Sequence, residues 1–149
     1  LWIKNTFEPD AQGTLIEAES DAAGGIIRGI TSIDRIAVLN LEGSGMVGIP
    51  GFSKRLFEAL ARERVNVILI TQSSSEHSIC VAIDDRSAEL ARRAVDQEFE
   101  NEISIGKIDP LRVETGLSIL ALVGDNMKAH TGVSGRMFAT LGHNGINIA

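Results

Sequence analysis

IAVLNLEGSGMVGIPGFSKRLFEALARERVNVI, residues 36–68, returns without a gap as LSILALVGDNMKAHTGVSGRMFATLGHNGINIA, residues 117–149, at a constant offset of 81. Identities fall at Leu39/Leu120, Leu41/Leu122, Gly43/Gly124, Met46/Met127, Gly51/Gly132, Ser53/Ser134, Arg55/Arg136, Phe57/Phe138, Leu60/Leu141 and Asn66/Asn147. They sit on glycine punctuation and on one apolar face instead of scattering, which marks a duplicated supersecondary unit. The second copy stops in mid-strand, so the sequence reads as a piece of a longer chain.

Around the repeat the pattern is regular. Ile36–Leu41 is an apolar run of strand length, and Gly43–Gly51 is a glycine-rich loop. Phe52, Leu56, Phe57 and Leu60 share one face of a helix from about Gly51 to Arg64. Val65–Thr71 and His77–Ile83 read as strands about the polar turn Gln72–Glu76, with Cys80 a buried strand residue. Asp84 and Asp85 offer caps to a second helix, predicted to turn Leu90, Ala94, Val95 and Phe99 inward and Arg92 and Arg93 outward. Ile103–Ile108 reads as a strand, and Pro110 with Thr115-Gly116 as the separator before the second copy. Upstream, Leu1–Asn5 and Ile26–Ile30 read as short strands joined by a turn-rich, polar connection. The order from Ile36 is strand, helix, strand, strand, helix, strand. This predicts an α+β, ferredoxin-like βαββαβ unit in tandem, with antiparallel sheets, helices on one face and an incomplete second unit. The expected divisions are 1–25, a connection after a preceding domain; 26–111, the first unit; and 112–149, the start of the second.

Composition narrows the function. The chain has 149 residues, is 44% hydrophobic and carries a formal net charge of −6, enough apolar content for a real core. An acidic chain without a Lys/Arg cluster, with one Trp and no Tyr, lacks the basic density and stacking aromatics of a nucleic-acid surface, and anionic membranes are equally poor partners. A lone Cys builds no disulfide framework, and no apolar stretch approaches the roughly 20 residues of a membrane span. A reducing cytoplasm is the expected compartment.

Three motifs invite chemistry and fail on context. Gly43-Ser44-Gly45-Met46-Val47-Gly48 matches the dinucleotide fingerprint, but Pro50-Gly51 delays the helix past the third glycine and no acid for a ribose follows the next strand. The Ser, Glu and His of ITQSSSEHSI, residues 70–79, lie in one hairpin turn, whereas catalytic triads are assembled from separate elements. His77, His130 and His143 share no face, so neither a metal site nor a catalytic residue is expected. A fourth reading unites the glycine loop, the helix start and Gln72. A βαββαβ unit paired with its twin places the glycine-rich loop of one copy against the second strand of the other, a junction whose unpaired backbone groups and side-chain amides can hold a small zwitterion.

At these residues the chain resembles the C-terminal regulatory region of aspartokinases, the tandem ACT region, and in particular that of the bifunctional aspartokinase–homoserine dehydrogenases. IKNTFEPDAQGTLI, residues 3–16, resembles the end of the family's kinase domain. IAVLNLEGSGMVGIPG and VILITQSSSEHSI resemble its first ACT domain, and the second copy resembles the start of the second. The resemblance implies an amino-acid-binding allosteric module, at least dimeric, that inhibits conversion of ATP and aspartate to 4-phosphoaspartate. ATP and magnesium, with NAD(P) in a bifunctional parent, belong to portions outside these residues; no cofactor and no kinase activity are expected here.

Lysine-sensitive relatives carry an Asp where this chain has Ile68. The resemblance therefore favours threonine over lysine as effector, because a second ammonium in a partly buried pocket needs a partner. It assigns the effector contact to Gln72, whose amide can donate to or accept from a hydroxyl. Asn66, Met46, Gly48, Ile49 and Ile68 are carried over with it from loop and strand positions. A lysine-responsive module of a monofunctional aspartokinase, or a purely dimerising module without ligand, are the alternatives.

Overall fold

A computed structural model describes residues 1–18, 25–72 and 77–148. The polar connection before Gly25 and the turn after Gln72, with the serines and glutamate of ITQSSSEHSI, fall largely outside the described residues. The elements run β1 (Trp2–Ile3), β2 (Thr14–Leu15), β3 (Ile27–Glu42), α1 (Phe52–Arg62), β4 (Val67–Thr71), β5 (Ser78–Asp84), α2 (Ala88–Glu98), α3 (Glu100–Ser104), β6 (Arg112–Gly124) and α4 (Val133–His143). They form two compact units, one of Ser32–Leu120 and one of Leu1–Thr31 with Ala121–Ala149.

The unit Ser32–Leu120 is built on a four-stranded sheet of order β4-β5-β3-β6. β5 is antiparallel to both neighbours in the middle of the order, pairing Leu39 with Val81 on one side and Ile70 with Val81 on the other. Strand alternation puts Ala37, Leu39 and Leu41 of β3 and Ile79, Val81 and Ile83 of β5 on one face. Onto that face pack Leu56 and Leu60 of α1 and Ala88, Ala91 and Val95 of α2, with Phe99 just beyond it, closing a single core. This is the α+β arrangement the repeat predicts, with the helices on one face.

Several elements differ from the sequence expectation. Ile103–Ile108 is not a strand. Phe99 and Ile103 lie four residues apart, and Ile103 N donates to Phe99 O at 2.9 Å, so the chain continues as α3 with Ile103 against the core. The fourth strand is instead β6, which runs through Thr115-Gly116 without a break; the expected separator is mid-strand. Likewise, residues 27–30 of the expected strand Ile26–Ile30 and all of Ile36–Leu41 are parts of one 16-residue strand, β3. Leu90 is exposed, not inward, because α2 starts at Ala88 and its buried stripe follows Ala88, Ala91 and Val95. Cys80 is only half-buried, since it alternates with Ile79 and Val81 onto the sheet face away from the helices. Asp84 does cap: its carboxylate accepts from the Arg86 amide at 3.0 Å, at the 3-10 turn that leads into α2.

The structure extends the repeat. α1 and α4 coincide residue for residue under the offset of 81, as do the left-handed residues Gly51 and Gly132 that precede them. Left-handed backbone recurs at Arg35 and Gly116, and at Arg64 and Gly145. The contacts repeat as well. At the end of β3, Gly43 lies against Lys107 and Ile108; at the end of β6, Gly124 lies against Ile26 and Ile27. Each pair of contacts is internal to one unit. Gly43 and Gly45 are therefore glycine because a neighbouring backbone passes within reach of any Cβ, and Gly45 N donates to Lys107 O at 2.9 Å. Close packing accounts for Gly43 and Gly45 of the fingerprint-like spacing, and a left-handed φ of 68° for Gly48, without a bound nucleotide.

In the other unit, β1 pairs antiparallel with β2, and Arg28 forms a 3.1 Å ion pair with Asp125. α4 buries Val133. Among the described residues no helix is long and apolar enough to cross a membrane, and no group of three or more His, Cys, Asp or Glu could hold a metal ion.

Candidate functional site

The loop from β3 to α1 turns through a short 3-10 segment, Ser44–Met46, and enters α1 at Gly51 with φ 101°. That left-handed residue carries no side chain to cap the helix, and the first turn of α1 contains no acid. The amides opening α1 thus present the positive end of the helix dipole without a built-in counter-charge. Next to them is a cavity of about 350 Å³ lined by Met46 and residues 48–51 of the loop, the helix start Phe52 and Ser53, Gln72 just past β4, and Ile79 of β5. Met46, Phe52 and Ile79 are buried and supply an apolar floor. Gln72 is exposed at its rim. Among the described residues, no charged side chain lines the cavity.

Four of the six expected site residues, Met46, Gly48, Ile49 and Gln72, meet here. Asn66 and Ile68 do not. They line a separate cavity of about 460 Å³ with Arg64, Asp84, Arg86 and Ser87. The separation has a clear cause: the register of β4 shifts between Val67, which pairs with Ile83, and Leu69, which pairs with Ala82. A bulge at Ile68 reverses the alternation. Beyond it, continuing the register brings Gln72 beside Ile79, whereas Asn66 falls beside Asp84. In that second cavity Asp84 and Arg86 are already spent on each other, since Arg86 meets both oxygens of Asp84 at 2.8 and 2.6 Å and holds its carboxyl far below the usual range. Phe52, Ser53 and Ile79 were not expected in the site; Ser53 carried a signal in its repeat partner Ser134.

The second copy reproduces the arrangement. A cavity of about 300 Å³ is lined by Met127, Lys128, His130, Gly132, Val133, Ser134 and Gly135, of which Met127, His130, Gly132, Val133 and Ser134 correspond to Met46, Ile49, Gly51, Phe52 and Ser53 of the first. The pair of cavities is a property of the repeat.

Behind the first cavity, Arg55 joins α1 to the α2–α3 junction. Its guanidinium bonds Glu102 Oε1 at 2.5 Å, Glu98 Oε1 at 3.0 Å and the Glu98 carbonyl at 2.7 Å. Arg62 also pairs with Glu98. Hydrogen bonding from Arg55 lowers the pKa of Glu102 and, with help from Arg62, that of Glu98. Depressed carboxylates contribute stability above their ordinary value of 4.5 and lose it as pH falls through the folded value. The stability advantage of the natural protein over Arg55→Met is therefore expected to be flat from pH 7 to about 5 and to shrink in more acidic solution. Denaturant midpoints measured against pH for both proteins check this; an advantage that grows on acidification contradicts it.

The ACT domain family model matches residues 39–99 and 120–149, one segment in each copy. The chain belongs to the ACT domain family. It is 40% identical over 146 residues to the bifunctional aspartokinase/homoserine dehydrogenase of Haemophilus influenzae, a match that covers 98% of this chain and 18% of that protein. The chain thus spans under a fifth of that relative's length and is homologous to its regulatory ACT region. Among solved structures, Clostridium acetobutylicum aspartate kinase superposes with a TM-score of 0.81 at 21% identity, over 99% of this chain and 34% of that one. E. coli aspartokinase III in complex with lysine and aspartate gives a TM-score of 0.58 at 25% identity, over 82% and 26%. Both carry the same ACT fold.

Proposed function

We propose that this region binds threonine in the cavity at the start of α1 and thereby inhibits a cytoplasmic aspartate kinase of which it is the regulatory part. The observation that carries the choice of ligand is the wall itself. The helix start attracts a carboxylate, Met46, Phe52 and Ile79 take an apolar group, and Gln72 meets a hydroxyl, while none of the described residues of the wall is an acid that could neutralise a second ammonium. The E. coli relative was crystallised with lysine; a lysine side chain in this wall would meet no acid among the described residues to pair its charge. Inhibition follows if the ligand binds the inactive state of the enzyme more tightly than the active one. Calorimetry of the full-length protein with threonine, lysine and methionine in separate titrations tests the reading. Saturable heat with threonine alone is expected. Saturation by lysine instead overturns it, and silence with all three favours a module that only dimerises.

Dimerisation is part of the proposal. β4 is an edge strand and exposes Ile68, Leu69 and Ile70, an apolar edge that a second copy would cover by extending the sheet. Sedimentation is expected to show at least a dimer; a monomer persisting at high protein concentration would count against it.

A further inference from the structure

We propose that Arg55 is a positioning residue for the cavity at the start of α1, holding Phe52 in place as one of its walls by stacking on the aromatic pair Phe52 and Phe99 while gripping the α2–α3 junction. The proposal rests on the reading of that cavity as the amino-acid site.

Phe52 belongs to the cavity wall and stacks on Phe99, with centroids 5.7 Å apart and planes inclined by 14°. Phe99 is fully buried between α2 and α3. Over this pair lies the Arg55 guanidinium, 4.5 Å from the Phe99 centroid and 5.9 Å from that of Phe52. The cation lies over the electron-rich ring faces, and its N–H groups are left to donate. Those donors go to the Glu98 carboxylate, the Glu102 carboxylate and the Glu98 carbonyl. The last is one of the carbonyls left open at the end of α2, where a cation also suits the helix dipole. One side chain therefore ties the first turn of α1, two rings and the end of α2 into one body. The cavity edge made by Phe52 and Ser53 is rigid to the extent that this body is.

Lysine cannot replace it, because an ammonium has neither a flat face to stack nor a fork to span two carboxylates. Arg62 supplies the contrast: it pairs with Glu98 from a more exposed position and stacks on neither ring. Arg55→Lys, Arg55→Met and Arg62→Met in the full-length protein separate the roles. Two readouts are needed: amide hydrogen exchange at Phe52, Ser53 and Lys54 without ligand, and threonine affinity by calorimetry. Both Arg55 variants are expected to exchange about tenfold faster there and to bind threonine roughly 5- to 20-fold more weakly, with Arg62→Met within about twofold on both counts. A merely structural Arg55 would lower the unfolding midpoint and leave local exchange and affinity unchanged, which would overturn the proposal. Equal effects from Arg62→Met would also overturn it, by assigning the work to charge alone. If Arg55→Met does not fold, Arg55→Lys decides. If the natural protein binds no threonine, the effector reading falls, and the exchange data still judge Arg55.

Discussion

Gln72→Ala is expected to weaken threonine binding by about 5- to 150-fold while uninhibited kinase turnover stays close to that of the natural enzyme. The magnitude follows from losing one side-chain hydrogen bond that becomes buried when the ligand closes over it, roughly 1–3 kcal/mol. Selectivity follows from position. Gln72 is exposed in the structure and has no share in the core, so its removal leaves stability within about 0.5 kcal/mol. Under the proposed function it acts through the ligand's differential affinity for the inhibited state, which leaves turnover without the ligand unaffected. Inhibition curves with threonine, run beside turnover without it, measure both quantities. Unchanged threonine sensitivity, or a parallel fall in basal turnover, would remove Gln72 from the site.

Much of this site was legible because repeats and glycines report backbone geometry directly. The offset of 81 located the loop, α1 and their copies, and in the structure it holds for the helix ends and for the left-handed residues before them. Gln72 is named through the family resemblance, and the pairing read from the sequence sets the loop of one copy against the second strand of the other, whereas here the loop and Gln72 of one copy share a cavity. What stayed hidden depends on registers that no local pattern records. Alternation alone puts Asn66, Ile68 and Gln72 on one face, and the bulge between Val67 and Leu69 that separates them has no composition signal. The Ile103–Ile108 run was misread because its residues suit either period; the helical bond from Ile103 to Phe99 is decided by the packing of Phe99. The true fourth strand was obscured by Gly116, whose left-handed φ of 74° reads in sequence as a turn but sits inside a continuous strand.

Gly43→Ala and Gly124→Ala are expected to destabilise the protein by roughly 1–3 kcal/mol each or more, although both replacements add a single methyl group. Gly43 has φ 165°, extended backbone that alanine adopts freely, so its requirement for glycine is purely one of space. A Cβ there would lie 2.5 Å from the Lys107 carbonyl oxygen and 2.6 Å from the Ile108 Cα; at Gly124 it would lie 2.1 Å from the Ile26 carbonyl oxygen. These are main-chain atoms, which cannot rotate away as a side-chain tip can, so a strand end or the segment opposite must shift. At Gly43 the shift is transmitted at once to the Ser44–Met46 turn that walls the cavity, and threonine affinity should fall with stability. The control is Gly142→Ala, inside α4 with nothing within 4 Å of the added atom. There the same methyl should stabilise by about 0.5–1 kcal/mol, because alanine loses less freedom in a helix than glycine. Denaturant midpoints for the three variants give the test as a sign. If Gly43→Ala and Gly124→Ala fall on the same side as Gly142→Ala, the repeated close approach of Lys107 and Ile26 to these loops is not what requires the glycines, and the spacing of Gly43, Gly45 and Gly48 needs another explanation.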